Sequence, residues 1–130
     1  MILLVENDPL LAEASYLLLD LQGYAVSVAT NGREALTQLT WQKPDLIITD
    51  WHMPVMNGIE LCNVLKLSSE WCAIPIILMS GLPQRPARNP PYDLFLQKPF
   101  QAAHLLDAVH RLVDPTQKSK PGHNSGQKQA

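Results

Sequence analysis

Three stretches of this chain are apolar without a break: Ile2-Leu3-Leu4-Val5, Leu46-Ile47-Ile48 and Ile76-Ile77-Leu78-Met79. A strand with one wet face alternates apolar with polar residues, whereas a strand covered on both faces has no reason to. Short continuous runs of this kind therefore point to a sheet buried on both sides. What lies between them must supply the cover.

The intervening segments have helical signals. Asp8-Pro9 offers a cap and a first-turn proline, and Leu10, Leu11, Ala14, Leu17, Leu18 and Leu21 recur at helical spacing until Gly23. A second strand is predicted over 25–29. Asn31-Gly32-Arg33-Glu34 sets a cap residue three positions before a glutamate, the pattern of a capping box, opening a helix through Ala35, Leu36 and Leu39. The third strand spans 45–49 and runs into Asp50, and a third helix follows at about 59–67. The fourth strand covers 75–79, a shorter fifth covers 94–96, and the last helix carries Ala102, Leu105, Leu106, Val109, Leu112 and Val113 on one face. Strands alternating with helices predict an α/β fold, a five-stranded parallel doubly wound sheet.

Two stretches depart from the alternation. Prolines at 83, 86, 90 and 91 remove amide donors between the fourth and fifth strands, so a fourth helix there is expected to be absent or irregular. From Asp114 onward Ala130 is the sole apolar residue, and residues 114–130 are expected to be a disordered polar tail after a single domain over 1–113.

Bulk properties narrow the function classes. A length of 130 residues suits one core. A net charge of −2 with scattered basic residues offers no basic footprint, so no nucleic-acid partner is expected. No apolar run reaches the roughly 18 residues of a membrane span, and Glu6 interrupts any leader-like start, so a cytoplasmic protein with no membrane partner is expected. Cys62 and Cys72 are too few for a disulfide framework and are read as reduced thiols.

In open parallel sheets, ligands gather beyond the carboxyl ends of the strands. Glu6, Asn7 and Asp8 follow the first strand, Asp50 the third, Ser80 the fourth and Lys98 the fifth. This set suits phosphoryl transfer to an aspartate. Oxygen donors from Glu6, Asn7 and Asp50 suit Mg²⁺. Lys98 supplies a cation, the Ser80 hydroxyl a donor to a phosphoryl oxygen, and Asp50 the nucleophile.

The segments Val5-Glu6-Asn7-Asp8-Pro9, Asp50-Trp51-His52-Met53-Pro54-Val55-Met56-Asn57-Gly58, Met79-Ser80-Gly81 and Lys98-Pro99-Phe100 resemble, in order, the signature stretches of bacterial response-regulator receiver domains. The resemblance spans about residues 1–113. It implies a flavodoxin-like strand order of 2-1-3-4-5 and an Asp50 that takes a phosphoryl group, with Mg²⁺, from a phosphohistidine on a sensor histidine kinase or histidine phosphotransfer protein. It further implies that Ser80 moves inward and Phe95 rotates as a switch, that the Lys98–Pro99 peptide is cis, and that the His52 backbone carbonyl is a metal ligand. An unidentified downstream protein would read the switched surface.

Departures from the pattern matter. Asn7 stands where receivers usually have a second acid, which predicts weaker Mg²⁺ binding; Asp8 is read as the helix cap, with partial rescue of the metal site as its alternative. For Phe95 the alternative is a plain core role. No enzyme turning over an external substrate is expected, because the rival phosphatases of the haloacid-dehalogenase type use Asp-x-Asp on a first strand, not Asp50-Trp51-His52 on a third. The remaining rivals are a pseudo-receiver that cannot be phosphorylated and a receiver fragment of a hybrid histidine kinase. Met1 directly before the first strand favours a stand-alone protein.

Overall fold

Every residue of β1 (Ile2–Val5), β3 (Leu46–Asp50) and β4 (Ile76–Ser80) is buried. The computed structural model describes residues 1–83 and 90–113. The remaining elements are α1 (Pro9–Leu21), β2 (Val26–Ala29), α2 (Gly32–Leu39), α3 (Gly58–Lys66), β5 (Leu94–Gln97) and α4 (Ala102–Leu112). All strand pairs are parallel, as the alternation of strands and helices predicted, and their order is β2-β1-β3-β4-β5, as the resemblance implied.

Side chains alternate across a strand, so each apolar run feeds two cores. On one face Ile2, Leu4, Leu46, Ile48, Ile77 and Met79 pack with Leu19 of α1 and with Leu105 and Val109 of α4. On the other, Leu3, Val5, Ile47 and Ile76 pack with Ala35 and Leu39 of α2 and with Leu61 and Leu65 of α3. Each fully buried Leu or Ile contributes about 1.5–3 kcal/mol through surface removed from water. The edge strands β2 and β5, covered less, are only partly buried.

Three helix starts are fixed by side-chain caps. Asp8 accepts from the Leu10 amide at 3.1 Å, and Asn31 accepts from the Glu34 amide at 2.9 Å. Asn57 and Glu60 form a complete capping box, each accepting from the other's amide at 2.9 Å. At α2 the expected box takes another form. Glu34 reaches one residue further back, to the amide and hydroxyl of Thr30.

Helix α1 corrects the sequence reading. Its buried face is Ala12, Ser15 and Leu19, while Leu10, Leu17 and Leu21 of the apolar stripe stay 79%, 50% and 73% exposed. The helix is apolar on nearly every side, so periodicity alone could not select the face that meets the sheet. Among the described residues between β4 and β5, 81–83 and 90–93, there is no helix. The rest of the proline-rich stretch, 84–89, and the expected tail, 114–130, lie outside the described residues.

Candidate functional site

Parallel pairing delivers the carboxyl ends of β1, β3, β4 and β5 to one edge of the sheet. Val5 is level with Thr49, Asp50 with Met79, and Ser80 with Gln97. The residues that follow therefore converge although they are far apart in sequence. The ammonium of Lys98 lies 2.9 Å from Oδ1 of Asp50 and 3.0 Å from Oε1 of Glu6. One cation thus bridges two acids.

The backbone explains why these groups stay in place. The Lys98 amide donates to the Ser80 carbonyl at 2.8 Å, continuing the β4–β5 ladder, and the Lys98–Pro99 peptide is cis, as the resemblance implied. Beyond Asp50, the Trp51 amide donates to the Met79 carbonyl and the Gly58 amide to the Trp51 carbonyl, each at 2.8 Å. A Cβ on Gly58 would sit 2.2 Å from the Asp50 carbonyl oxygen, so α3 can start against the strand end only with glycine there. The Thr49 hydroxyl donates to that same carbonyl at 2.9 Å.

Electrostatics follow from two acids and one base in a half-dry cleft. The Glu6 side chain is 1% exposed, Asp50 10% and Lys98 19%, so the acid at the strand end of β3 is the more accessible. Burial raises the Glu6 carboxyl above its ordinary 4.5; the Asp8 amide works against that shift, the charge of Asp50 adds to it, and Lys98 does not reverse it. Burial opposes charge on Lys98, yet its hydrogen bonds to Asp50 and Glu6 outweigh burial and hold it above the ordinary 10.5.

The other predicted residues are placed less centrally. Ser80 is fully buried, and its hydroxyl accepts from the Leu82 amide at 3.0 Å; no hydrogen bond joins it to the acids. Asn7 is exposed beside Glu6. Asp8 is occupied as the cap of α1, and its amide donates to Oε2 of Glu6 at 3.1 Å. His52 is exposed, with its ring stacked on Trp51 at a centroid distance of 5.2 Å and planes within 4°. Phe95 is half-buried, 6.1 Å from the Tyr92 ring, and borders a depression of about 220 Å³ shared with His104, Asp107 and Arg111.

The donor set fits a hard divalent cation. Glu6 and Asp50 bring carboxylate oxygens within reach of one ammonium and hence of one another, Asp50 Oδ2 has no hydrogen-bond partner among the described residues, and Asn7 adjoins Glu6. No group of three or more His, Cys, Asp or Glu side chains suited to a metal exists among the described residues. Sequence reasoning missed the steric role of Gly58. The Asn57-Gly58 pair was the signal, but its tight partner, the Asp50 carbonyl, is visible only in three dimensions.

Residues 2–110 match the receiver domain family of response regulators. The chain belongs to that family. Among its relatives, the probable transcriptional regulator ycf29 of Pyropia yezoensis is 37% identical over 116 residues, which are 86% of this chain and 52% of that protein. The DNA-binding response regulator MtrA of Mycolicibacterium smegmatis is 32% identical over 112 residues, 83% of this chain and 48% of that protein. The receiver thus spans about half the length of the curated relatives it matches. In structure it is similar to the signal receiver domain of a signal transduction histidine kinase from Syntrophus aciditrophicus, with a TM-score of 0.81 and 34% identity over 95% of this chain and 97% of that one.

These relatives overturn one expectation. The modest net charge and scattered basic residues predict no nucleic-acid partner, yet relatives of this receiver are named as a DNA-binding regulator and a probable transcriptional regulator. Charge in the receiver portion does not report on nucleic-acid binding in such proteins, because the receiver matches only about half of each. The exclusion does not stand. As for membranes, no helix among the described residues is long and apolar enough to cross one.

Proposed function

We propose that this receiver is a phosphoacceptor of a two-component phosphorelay, acting in the cytoplasm, with Asp50 as the accepting residue. The observation that carries the reading is the Lys98 ammonium held 2.9 Å from Asp50 Oδ1 and 3.0 Å from Glu6 Oε1, with Asp50 the more accessible of these two carboxylates. The donor is the phosphohistidine of a sensor histidine kinase or histidine phosphotransfer protein. An Asp50 oxygen bonds to phosphorus, the phosphorus–nitrogen bond breaks, and the imidazole leaves with a proton.

Each neighbouring group has a part in that transfer. Lys98 orients the Asp50 carboxylate and offsets charge as it builds on the phosphoryl oxygens. Glu6, Asn7, Asp50 and the His52 backbone carbonyl would hold Mg²⁺, which when bound neutralises negative charge on the transferring group. Ser80 would exchange its contact with the Leu82 amide for one to a phosphoryl oxygen, and Phe95 would rotate in response, altering the surface read by a downstream protein. The receiver catalyses only its own phosphorylation and dephosphorylation, so no external substrate is turned over.

Incubation with acetyl phosphate and Mg²⁺ followed by intact-mass measurement tests the reading. One phosphoryl mass is expected on the wild type and none on Asp50→Asn. An unmodified wild type would instead support a phosphorylation-deficient pseudo-receiver, and an equal gain in Asp50→Asn would place the acceptor elsewhere.

A further inference from the structure

The loop from Asp50 to α3 contains a strained turn. Val55 has φ 72°, a left-handed conformation that β-branched residues rarely adopt. Across it the Met56 amide donates to the Pro54 carbonyl at 2.8 Å, closing a three-residue turn of the rare γ type with positive φ. Val55 is 74% exposed, so the strain is not offset by burying its side chain. Such strain persists only where the surroundings over-determine it.

Gly32 supplies the surroundings. As the first residue of α2 its amide has no partner within its own helix, and it donates instead to the Met56 carbonyl at 3.0 Å. A Cβ at Gly32 would lie 2.7 Å from Met56 Cγ and 2.9 Å from both Met56 Sδ and the Met56 carbonyl oxygen. The Met56 side chain therefore occupies the space that any other residue at position 32 would need. Both backbone polar groups of Met56 are engaged, one by Pro54 and one by Gly32, while Gly58 ties the far end of the loop to Trp51.

We propose that Gly32 is a positioning residue for phosphorylation: by seating Met56 against the start of α2, it holds the strained turn at Val55 and so fixes the 51–57 loop beside Asp50. The proposal rests on the phosphoacceptor reading of Asp50. Its physical content is that stability is given up for position. A relaxed turn would make a firmer fold and a looser site.

The test compares the wild type with Gly32→Ala and Val55→Gly by thermal unfolding, by Mg²⁺ titration of Trp51 fluorescence and by acetyl phosphate labelling. Gly32→Ala is expected to lose about tenfold in Mg²⁺ affinity, as when a residue supporting a metal ligand is removed, with a matching fall in labelling rate. Val55→Gly is expected to unfold at or above the wild-type temperature while binding Mg²⁺ about two- to fivefold more weakly, because glycine widens the loop's conformational range. A merely structural role would move both readouts together. Wild-type Mg²⁺ affinity in Val55→Gly, a lowered unfolding temperature for it, or unchanged affinity in a folded Gly32→Ala overturns the proposal. If Gly32→Ala does not fold, Val55→Gly decides. If the wild type takes up no phosphoryl group, the acceptor reading falls, and Mg²⁺ affinity alone decides the positioning role.

Discussion

The ammonium of Lys98 lies 2.9 Å from Asp50 Oδ1 although the two residues are 48 positions apart, and the same ammonium holds Glu6 at 3.0 Å. Removing it leaves two carboxylates facing each other in a cleft where Glu6 is almost fully buried. Lys98→Met is expected to lower stability by about 3 kcal/mol, the range for breaking a buried pair from one side. The loss should be read as a fall in the urea midpoint, and added Mg²⁺ should restore part of it by binding the folded state. An unchanged midpoint without Mg²⁺ would mean that the bridge contributes nothing.

The pH dependence of stability should carry an unusual sign from Glu6. Its carboxyl is held above the ordinary 4.5 by burial and by Asp50. A group raised in the fold binds its proton more tightly folded than unfolded, so its contribution is full below 4.5 and is lost as pH climbs through the raised value. Without Mg²⁺, acidifying from neutral pH toward 4.5 should favour the wild type relative to Glu6→Gln, which has no such proton to bind. Parallel urea midpoints for the two proteins over that interval would contradict this. Lys98, raised above 10.5, acts on the alkaline side: its contribution is present below 10.5 and is lost as pH rises through the raised value.

Asn7 is exposed at the end of β1, beside the buried Glu6. Replacing its amide by a carboxylate adds charge to the donor set, and charge count is one of the main determinants of divalent-ion affinity. Asn7→Asp should tighten Mg²⁺ binding by about tenfold in a fluorescence titration. Equal affinity in the two proteins would show that position 7 does not face the metal.

Gly58 has no room for a side chain. With a Cβ placed 2.2 Å from the Asp50 carbonyl oxygen, Gly58→Ala must displace either the strand end or the start of α3. A loss of about 3 kcal/mol or more is expected, read by urea denaturation, since the clash is with backbone and not with a flexible side chain. A near-neutral substitution would mean that α3 shifts freely, contrary to the capping box that fixes its start.

The two cysteines should differ in reactivity. Burial pushes the Cys62 thiol up to about 12, and the residue is fully enclosed, whereas Cys72 is exposed. The thiolate is the reactive form, so native protein should take one equivalent of an alkylating reagent, at Cys72, with Cys62 reacting only after denaturation. Peptide mapping after brief labelling checks this.

The boundaries of the elements were largely legible in the sequence because they depend on local rules. Continuous apolar runs marked the three central strands, Asp8 and Asn31 marked the starts of α1 and α2, and parallel alternation implied that Glu6, Asp50, Ser80 and Lys98 would share one edge. Other features were decided only by tertiary packing. Which side of α1 meets the sheet could not be read from a helix with leucines on several sides, and the structure buries Ala12, Ser15 and Leu19. The turn of the Ser80 hydroxyl toward Leu82, the sharing of one ammonium by two acids, and the fit of Met56 over Gly32 likewise depend on distances between loops that no local pattern encodes. The sequence by itself determined that Glu6, Asp50, Ser80 and Lys98 would lie at one edge of the sheet, because alternating strands and helices build a parallel sheet whose strand ends point the same way. Only the tertiary structure decided which of them touch it, because hydrogen bonding and close packing are settled within a few tenths of an ångström.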